Sequence, residues 1–305
     1  MSDTPRLTDE KEKLVPWITL GVLVMLLIWG YADTLASFVR AWDRPEYSHG
    51  WLIPLFAVVF LWVRQEEIKK VPLVDRWYGF GLLVFGLLMR LSSTHFIFVP
   101  VDNYSFIVCL MGIVMLVGGW RMIRWAGPAV LFLAFMIPLP MLLSRGLLGE
   151  LKLVATAGST YMLQTLGIDV YRESTQITLG DHKLNVVEAC AGMRMATILL
   201  AMAVAVVLVA RRSWWENIVI VVSAIPIAIA ANVIRITITG LFYLWFPAFS
   251  QEDQEAVHNW MGYMMAPVAL GLLYVELVVL ANLFIEPRAT KPMALGRQGR
   301  PSPMV

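Results

Sequence analysis

Charge is what this sequence has least of. Of its 305 residues, 15% are Asp, Glu, Lys or Arg, against about a quarter in soluble domains, while 59% are hydrophobic. So few charges cannot cover the surface of a water-soluble globule of this length, which excludes a soluble enzyme and leaves an integral membrane protein. Cysteine is nearly absent as well. Cys109 lies inside one apolar run and Cys190 at the edge of another, so no disulfide framework is indicated. A formal net charge of +2 gives no basis for binding nucleic acid. There is no tandem repeat, no removable signal peptide is expected, and no cofactor or metal is expected.

What the chain does have is long uncharged stretches punctuated by basic clusters. Arg6, Lys11 and Lys13 precede the run from Val15 to Ala32, so the positive-inside rule places residues 1–14 in the cytoplasm. A short outer loop follows, with Asp33, Arg40, Asp43, Arg44 and Glu46. Tyr47-Ser-His-Gly-Trp-Leu-Ile-Pro54 then opens a second run that ends at Val63. Arg64, Lys69, Lys70 and Arg76 mark the return to the inside. Span three starts at Trp77 and meets Arg90, whose side chain can snorkel outward and is given a structural role. Span four covers Asn103 to Trp120, Arg121 and Arg124 are inner, and span five runs from Trp125 to about Ser144. Span six ends at Arg211-Arg212, and span seven rises from Asn217 to Ile234. The last span runs from Asn259 to Ile285 and contains Glu276, whose ionised form is costly near a helix centre.

The uncharged stretch Ile236 to Ser250 is read as an extension or re-entrant segment, because a ninth span would carry the basic tail outside. On this count the inner segments hold 15 of the 24 lysines and arginines. The expected architecture is an all-α polytopic membrane protein with about eight transmembrane helices and both termini cytoplasmic. Residues 15–285 form the transmembrane domain, and 286–305 read as a flexible cytoplasmic tail.

One insertion breaks the helical pattern, at about residues 145–190 on the outer, periplasmic side. It begins as an amphipathic helix with apolar Leu147, Leu148, Leu151, Val154 and Leu163, lying along or dipping into the surface. Residues Ile168 to Val187 favour strands, with Gly180-Asp181 between Gln176-Ile-Thr-Leu179 and Lys183-Leu-Asn-Val186 as a two-residue hairpin turn.

That β element leads into Cys190, which stands before the uncharged run Met195 to Ala210. A thiol at a helix N-terminus, with Arg194 one turn on, meets the conditions for a stabilised thiolate and hence a nucleophile. The same thiol could be a small apolar residue at a helix entrance. The expected topology brings Cys190, Arg194, Arg235 and His258 to one face of the membrane. A thiol, an imidazole and guanidiniums there suit acyl transfer: the imidazole moves the proton and a guanidinium stabilises the oxyanion. Each part has a plainer reading: the arginines as headgroup contacts, His258 as a helix cap, Glu188 as a hydrogen-bond acceptor or a residue facing water. His49, at the outer interface, competes for the base role. His95 is interfacial, His182 is solvated in the hairpin tip, and Cys109 is core packing.

Glu188-Ala-Cys-Ala-Gly-Met-Arg194, then Asn232-Val-Ile-Arg-Ile236, then His258 with Gly262, in a chain of about eight spans, resembles the exosortase family. Tyr47-Ser-His-Gly-Trp-Leu-Ile-Pro54 and the prolines Pro138 and Pro140 at the end of span five also resemble it. That family relates to the sortases in function and not in fold. The resemblance implies a cysteine transpeptidase or endopeptidase of the bacterial inner membrane, with its site facing the periplasm. Its implied substrates are membrane-anchored proteins with a carboxy-terminal Pro-Glu-Pro motif, a transmembrane helix and a basic cluster, and the family is linked to exopolysaccharide production. The acceptor nucleophile stays open. By motif, Cys190 would be the nucleophile, Arg235 the transition-state stabiliser and His258 the general acid/base, with Arg194, Glu188, Asn232 and His49 in support. Ala191 departs from the serine that the family often has there, which bears on subtype more than on activity.

Two other classes share this architecture. A permease would use Glu276 and Arg90 as pathway charges, and a non-catalytic subunit of a polysaccharide export complex would not depend on Cys190.

Overall fold

A computed structural model describes residues 7–44, 47–64, 71–96, 99–179, 182–185, 192–210, 212–246 and 251–283. The described chain is mainly helical. In order come α1 (Leu7–Gly30), α2 (Ala32–Trp42), a 3₁₀ turn (Ser48–Trp51), α3 (Leu52–Val63), α4 (Leu73–Phe96), α5 (Val99–Phe132) and a 3₁₀ turn (Leu133–Met136). These are followed by α6 (Met141–Thr165), strands β1 (Val170–Glu173), β2 (Gln176–Leu179) and β3 (His182–Asn185), then α7 (Gly192–Val209), α8 (Trp214–Trp245) and α9 (Gln251–Leu283). By length and apolar composition α4, α5 with its 3₁₀ extension, and α8 can each cross a bilayer, and α1 with α2 would make a fourth candidate bent by 72°. Shorter apolar helices run over Ser48–Val63, Ala196–Val209 and Pro267–Asn282.

The long helix α5 is two segments folded on each other. Gly119 has φ 63° and ψ −163°, a conformation that L side chains rarely adopt. In a straight helix Met111 and Gly127 would be about 24 Å apart. Here a Cβ on Gly127 would lie 3.7 Å from Met111 Sδ. The chain therefore turns back at Gly119, where the Asp75 carboxylate accepts the Trp120 amide at 3.3 Å.

The first half of α5 packs on α4 with the backbones nearly touching. A Cβ on Gly79 would meet Leu116 N at 2.4 Å, one on Gly86 would meet Cys109 Sγ at 2.5 Å, and one on Gly112 would meet Leu83 N at 2.7 Å. Each of these pairs has the same sum of residue numbers, as an antiparallel register requires. Cys109 is fully buried there, as expected for packing.

The corner between α1 and α2 is a finding, since residues 33–46 read as a plain outer loop. Thr34, Phe38 and Trp42, four residues apart, are the buried face of α2. Polar contacts pin its beginning. Tyr31 Oη lies 2.7 Å from Ser105 Oγ, Thr34 Oγ1 donates to Asp102 Oδ2 at 2.6 Å, and Arg90 Nε is 3.8 Å from Asp102 Oδ1. The Arg90 guanidinium also sits 3.9 Å over the Tyr31 ring, so its role here is structural. At the other end, Trp42 Nε1 donates to Met136 O at 2.8 Å.

Three apolar cores result. One gathers α1 to α5 around Phe38, Phe60, Phe106 and Phe132, with Ala201 and Ala205 from α7. A second holds α7, α8 and α9 together through Leu199, Ala203, Ile220, Ala224, Ala228, Ala269 and Leu273. Helix α7 is the wall between them. The third core is small and joins α6, the sheet and the end of α8.

The sheet has three antiparallel strands in the order β1-β2-β3. Leu179 pairs with His182 across Gly180-Asp181, so the hairpin falls where the sequence places it, with β3 one residue earlier and β1 added. Gly167, at φ 82°, ends α6 and turns the chain into β1.

A side chain at Gly112 has no space against α4, whereas one at Gly81 meets nothing within 4 Å. Gly112→Leu should lower the thermal stability of the detergent-solubilised protein by about 1–3 kcal/mol or more, and Gly81→Ala should leave it unchanged or raised. Thermal-shift measurement on both variants checks this.

Candidate active site

Helix α8 explains where Arg235 comes to lie. It starts with Ser213-Trp-Trp-Glu216, a helix-start pattern in which Ser213 Oγ donates to Glu216 and Arg212 pairs with it at 3.3 Å. From Trp214 the helix continues without interruption to Trp245, so the extension reading of the residues after Arg235 holds as far as the helix runs. Arg235 is 21 residues beyond Trp214, or about 32 Å along the axis, close to the thickness of a hydrocarbon core.

At that level Arg235 is 2% exposed, with Asn232 at 5% and Ile236 at 1% on the same face. A guanidinium so enclosed in a predominantly apolar protein is a functional-site signal, because removing it from water is expensive. What encloses this stretch is α6 and the sheet. Ser159 Oγ donates to Val233 O at 3.3 Å, and a Cβ on Gly158 would lie 2.9 Å from Val233 Cγ2. A Cβ on Gly240 would lie 3.3 Å from Leu163 Cδ1 and 3.5 Å from Leu179 Cδ2. Ile236 shares its core with Ala155, Leu163, Val170, Ile177 and Leu179.

The packed face of α6 combines small and hydroxyl residues with Leu163. Val154 is 53% exposed, and the buried side consists of Ala155, Thr156, Ser159, Thr160 and Leu163. The hydroxyls return to the carbonyls of the preceding turn: Thr156 to Lys152 O at 2.7 Å, Ser159 to Ala155 O at 2.8 Å and Thr160 to Thr156 O at 2.8 Å. Small residues allow helix axes to approach in a lipid setting, where large apolar side chains gain nothing by leaving the lipid. These small and hydroxyl residues form a polar face on α6 that the sequence reading missed. The signal was their spacing of three and four residues along α6.

Hairpin counting places the other candidates. Helices α7 and α8 are joined by residues 210–213 and share a core, so Gly192, first in α7, is level with about residue 231 of α8. Arg194 is therefore near 229, about 9 Å along the axis from Arg235. Helices α8 and α9 share the same core, and Arg235 is level with about residue 261 of α9. His258, in the second turn of α9, is one turn further out. The side chains of Arg194 and His258 lie outside the described residues, as do Cys190 and Glu188 altogether.

His49 is in the other bundle. It is 8% exposed in the 3₁₀ turn before α3, bonded to the backbone of Phe135, and its Nδ1 is enclosed without a hydrogen-bond partner among the described residues. Trp42 stands over the adjacent Gly50, where a Cβ would be 2.2 Å from the indole. His95, at the end of α4, stacks edge-on against Phe96 at 5.1 Å. On α9, Glu276 has its Oε2 enclosed with no partner among the described residues. No group of three His, Cys, Asp or Glu suited to a metal is present among the described residues.

These features define a helical membrane protein with a buried arginine in the last third of a spanning helix, beside residues on which a small sheet packs. The family model of the transmembrane exosortases matches residues 42–275, and the chain belongs to that family of membrane cysteine transpeptidases. No curated protein and no solved structure matches it.

Gly158 lies against Val233 of α8, where an added Cβ would come within 2.9 Å, whereas a Cβ at Gly149 meets nothing within 4 Å. Gly158→Leu is expected to lower thermal stability by about 1–3 kcal/mol and to loosen the enclosure of Arg235, while Gly149→Leu has no such effect. Melting curves together with limited proteolysis within residues 150–185 check this.

Proposed function

We propose that this protein cleaves exported, membrane-anchored proteins at a carboxy-terminal sorting signal of the Pro-Glu-Pro type and transfers the product to an acceptor, in connection with exopolysaccharide production. The observation that carries the reading is the enclosed guanidinium of Arg235, on the motif Asn232-Val-Ile-Arg-Ile236, at the level where α7 begins just after Cys190.

The Cys190 thiolate attacks the scissile carbonyl and forms a tetrahedral oxyanion, to which Arg235 donates. Such a donor in a water-poor site contributes about 3–4 kcal/mol. Collapse expels the amine, protonated by His258, and leaves a thioacyl enzyme. Water or an amine acceptor, deprotonated by the same imidazole, then releases the product and restores the thiol. Asn232 lies one turn from Arg235 on the same face, Arg194 favours the thiolate, and His49 positions substrate.

The proposed setting is the bacterial inner membrane, with eight spans, both termini cytoplasmic and the site periplasmic. Contacts between helix ends support this. Trp17 packs on Trp125 at 6.2 Å, Trp125 Nε1 donates to Arg64 O at 3.0 Å, and Arg64 bonds Leu208 O, all at ends assigned inside. Trp42 packs on Trp51 at 5.1 Å at ends assigned outside. Exposed Trp62, Trp77, Trp120 and Trp214 fall at inner ends, and Trp29, Trp245 and Trp260 at outer ends, as interfacial belts would.

Impermeant thiol labelling of single cysteines at positions 181 and 252 should succeed in intact spheroplasts. Labelling of either position only after permeabilisation contradicts the topology.

Co-expression with a tagged Pro-Glu-Pro substrate tests the chemistry. Wild type should release the tagged product and Cys190→Ala should not. Arg235→Lys, which keeps the charge but loses the planar fork, should fall at least tenfold with insertion intact, and His258→Ala should fall about 10²–10⁴-fold. Equal cleavage by Cys190→Ala would remove the enzyme reading altogether.

A further inference from the structure

We infer that the outer edge of β3 binds an extended stretch of substrate polypeptide as a fourth strand, leading the scissile bond toward Cys190; this rests on the peptidase reading above. Among the described residues β3 pairs with β2 and with no other strand, while β1, at the opposite edge, leans on α6, where Gln164 Nε2 donates to Val170 O at 3.2 Å.

The register fixes which backbone groups face outward. Leu179 and His182 close a two-residue turn, and the closing pair of such a turn exchanges hydrogen bonds. Bonding then alternates along the strand, so His182 and Leu184 bond to β2, and the N–H and C=O groups of Lys183 and Asn185 point away from it. The other hairpin agrees: Glu173 and Gln176 close it, so Gln176 and Thr178 bond to β1, leaving Ile177 and Leu179 for β3. Two outward residues offer up to four main-chain hydrogen bonds, enough to hold a short extended segment in one register.

Two features make this edge suitable for delivering a chain to the thiol. Asn185 is five residues from Cys190, a reach of at most about 17 Å in extended chain, so a segment on β3 lies within a few residues of the nucleophile. The sheet is also rigidly referenced to the site. Val170, Ile177 and Leu179, each 2% exposed or less, share a core with Ile236, the residue after Arg235. Exposed edges are usually blocked because they recruit other chains. An edge held at the approach to a peptidase site recruits the chain to be cut, and it does so through main-chain groups that every substrate carries.

Proline substitution at the outward positions tests this in the full-length protein in membranes. Lys183→Pro and Asn185→Pro each remove an outward N–H and leave the ladder to β2 intact, a setting in which an edge strand tolerates proline. With the tagged substrate, KM should rise about fivefold or more for each, the loss expected from one main-chain hydrogen bond, with kcat within twofold. Lys183→Ala and Asn185→Ala should keep the wild-type KM. Thermal stability and the alkylation rate of Cys190 report whether each variant folds.

Wild-type KM in folded proline variants, or an equal rise in the alanine variants, overturns edge pairing while the peptidase reading stands. If the proline variants do not fold, backbone N-methylation along a synthetic substrate decides. Sensitivity at alternate residues upstream of the cleavage point supports pairing, and its absence overturns it. If wild type cleaves nothing, the peptidase reading falls and the edge inference falls with it.

Discussion

Helices in lipid gain nothing by burying large apolar side chains against each other, since the lipid is equally apolar. Close backbone approach at small residues sets how the helices pair, and the apolar cores around Phe38 and Phe132 fill in around those pairs. Gly79, Gly86 and Gly112 bring α4 onto α5, and Gly158 with Ser159 brings α6 onto α8. Large apolar residues such as Phe80, Phe85, Leu88 and Val222 stay exposed on the outside, where a water-soluble protein would not leave them.

Close approach also makes the polar interior possible. Arg90, Asp102, Thr34, Ser105 and Tyr31 satisfy one another's polar groups where α1 bends into α2, while backbone bonds from Tyr31 N to Leu27 O and from Leu35 N to Tyr31 O carry the chain through the bend. The same logic applies at the other end of the molecule. There the hydroxyls of α6 bond to the preceding turn, with Ser159 also reaching Val233 O of α8, on the stretch of α8 that holds the enclosed Arg235.

Much of this was legible in the sequence, for identifiable reasons. The long apolar runs mark helices and the strands fall on either side of Gly180-Asp181, but the end of the fifth run is not kept, since the helix breaks at Ile137 and Ser144 lies inside α6. Arg235 was visible because a charge at the end of an apolar run is unusual. The helix α2 was not, because Asp33 and Arg40 on its outer side masked the Thr34, Phe38 and Trp42 stripe. The buried face of α6 was not read from the sequence, because Ala155, Thr156, Ser159 and Thr160 carry no hydropathy signal, and of the apolar residues named there Leu163 is buried while Val154 is exposed. Strand β1 falls within the stretch Ile168 to Val187 that favours strands, but alternation did not mark its bounds, since Tyr171, Arg172 and Glu173 are all exposed. The turn at Gly119 lies in Gly118-Gly119, where the nearby basic residues indicated a loop and the backbone supplies a tight reversal instead.

Helix α8 has one further consequence. It is a single rod of 32 residues, about 48 Å long, and so exceeds any bilayer core. The distance along the axis from Trp214 to Arg235, about 32 Å, is set by helical backbone in which Pro226 removes one amide donor. In a membrane thinner than the rod, the helix must tilt or bend or the lipid must thicken, and each response moves the Arg235 guanidinium relative to the outer surface.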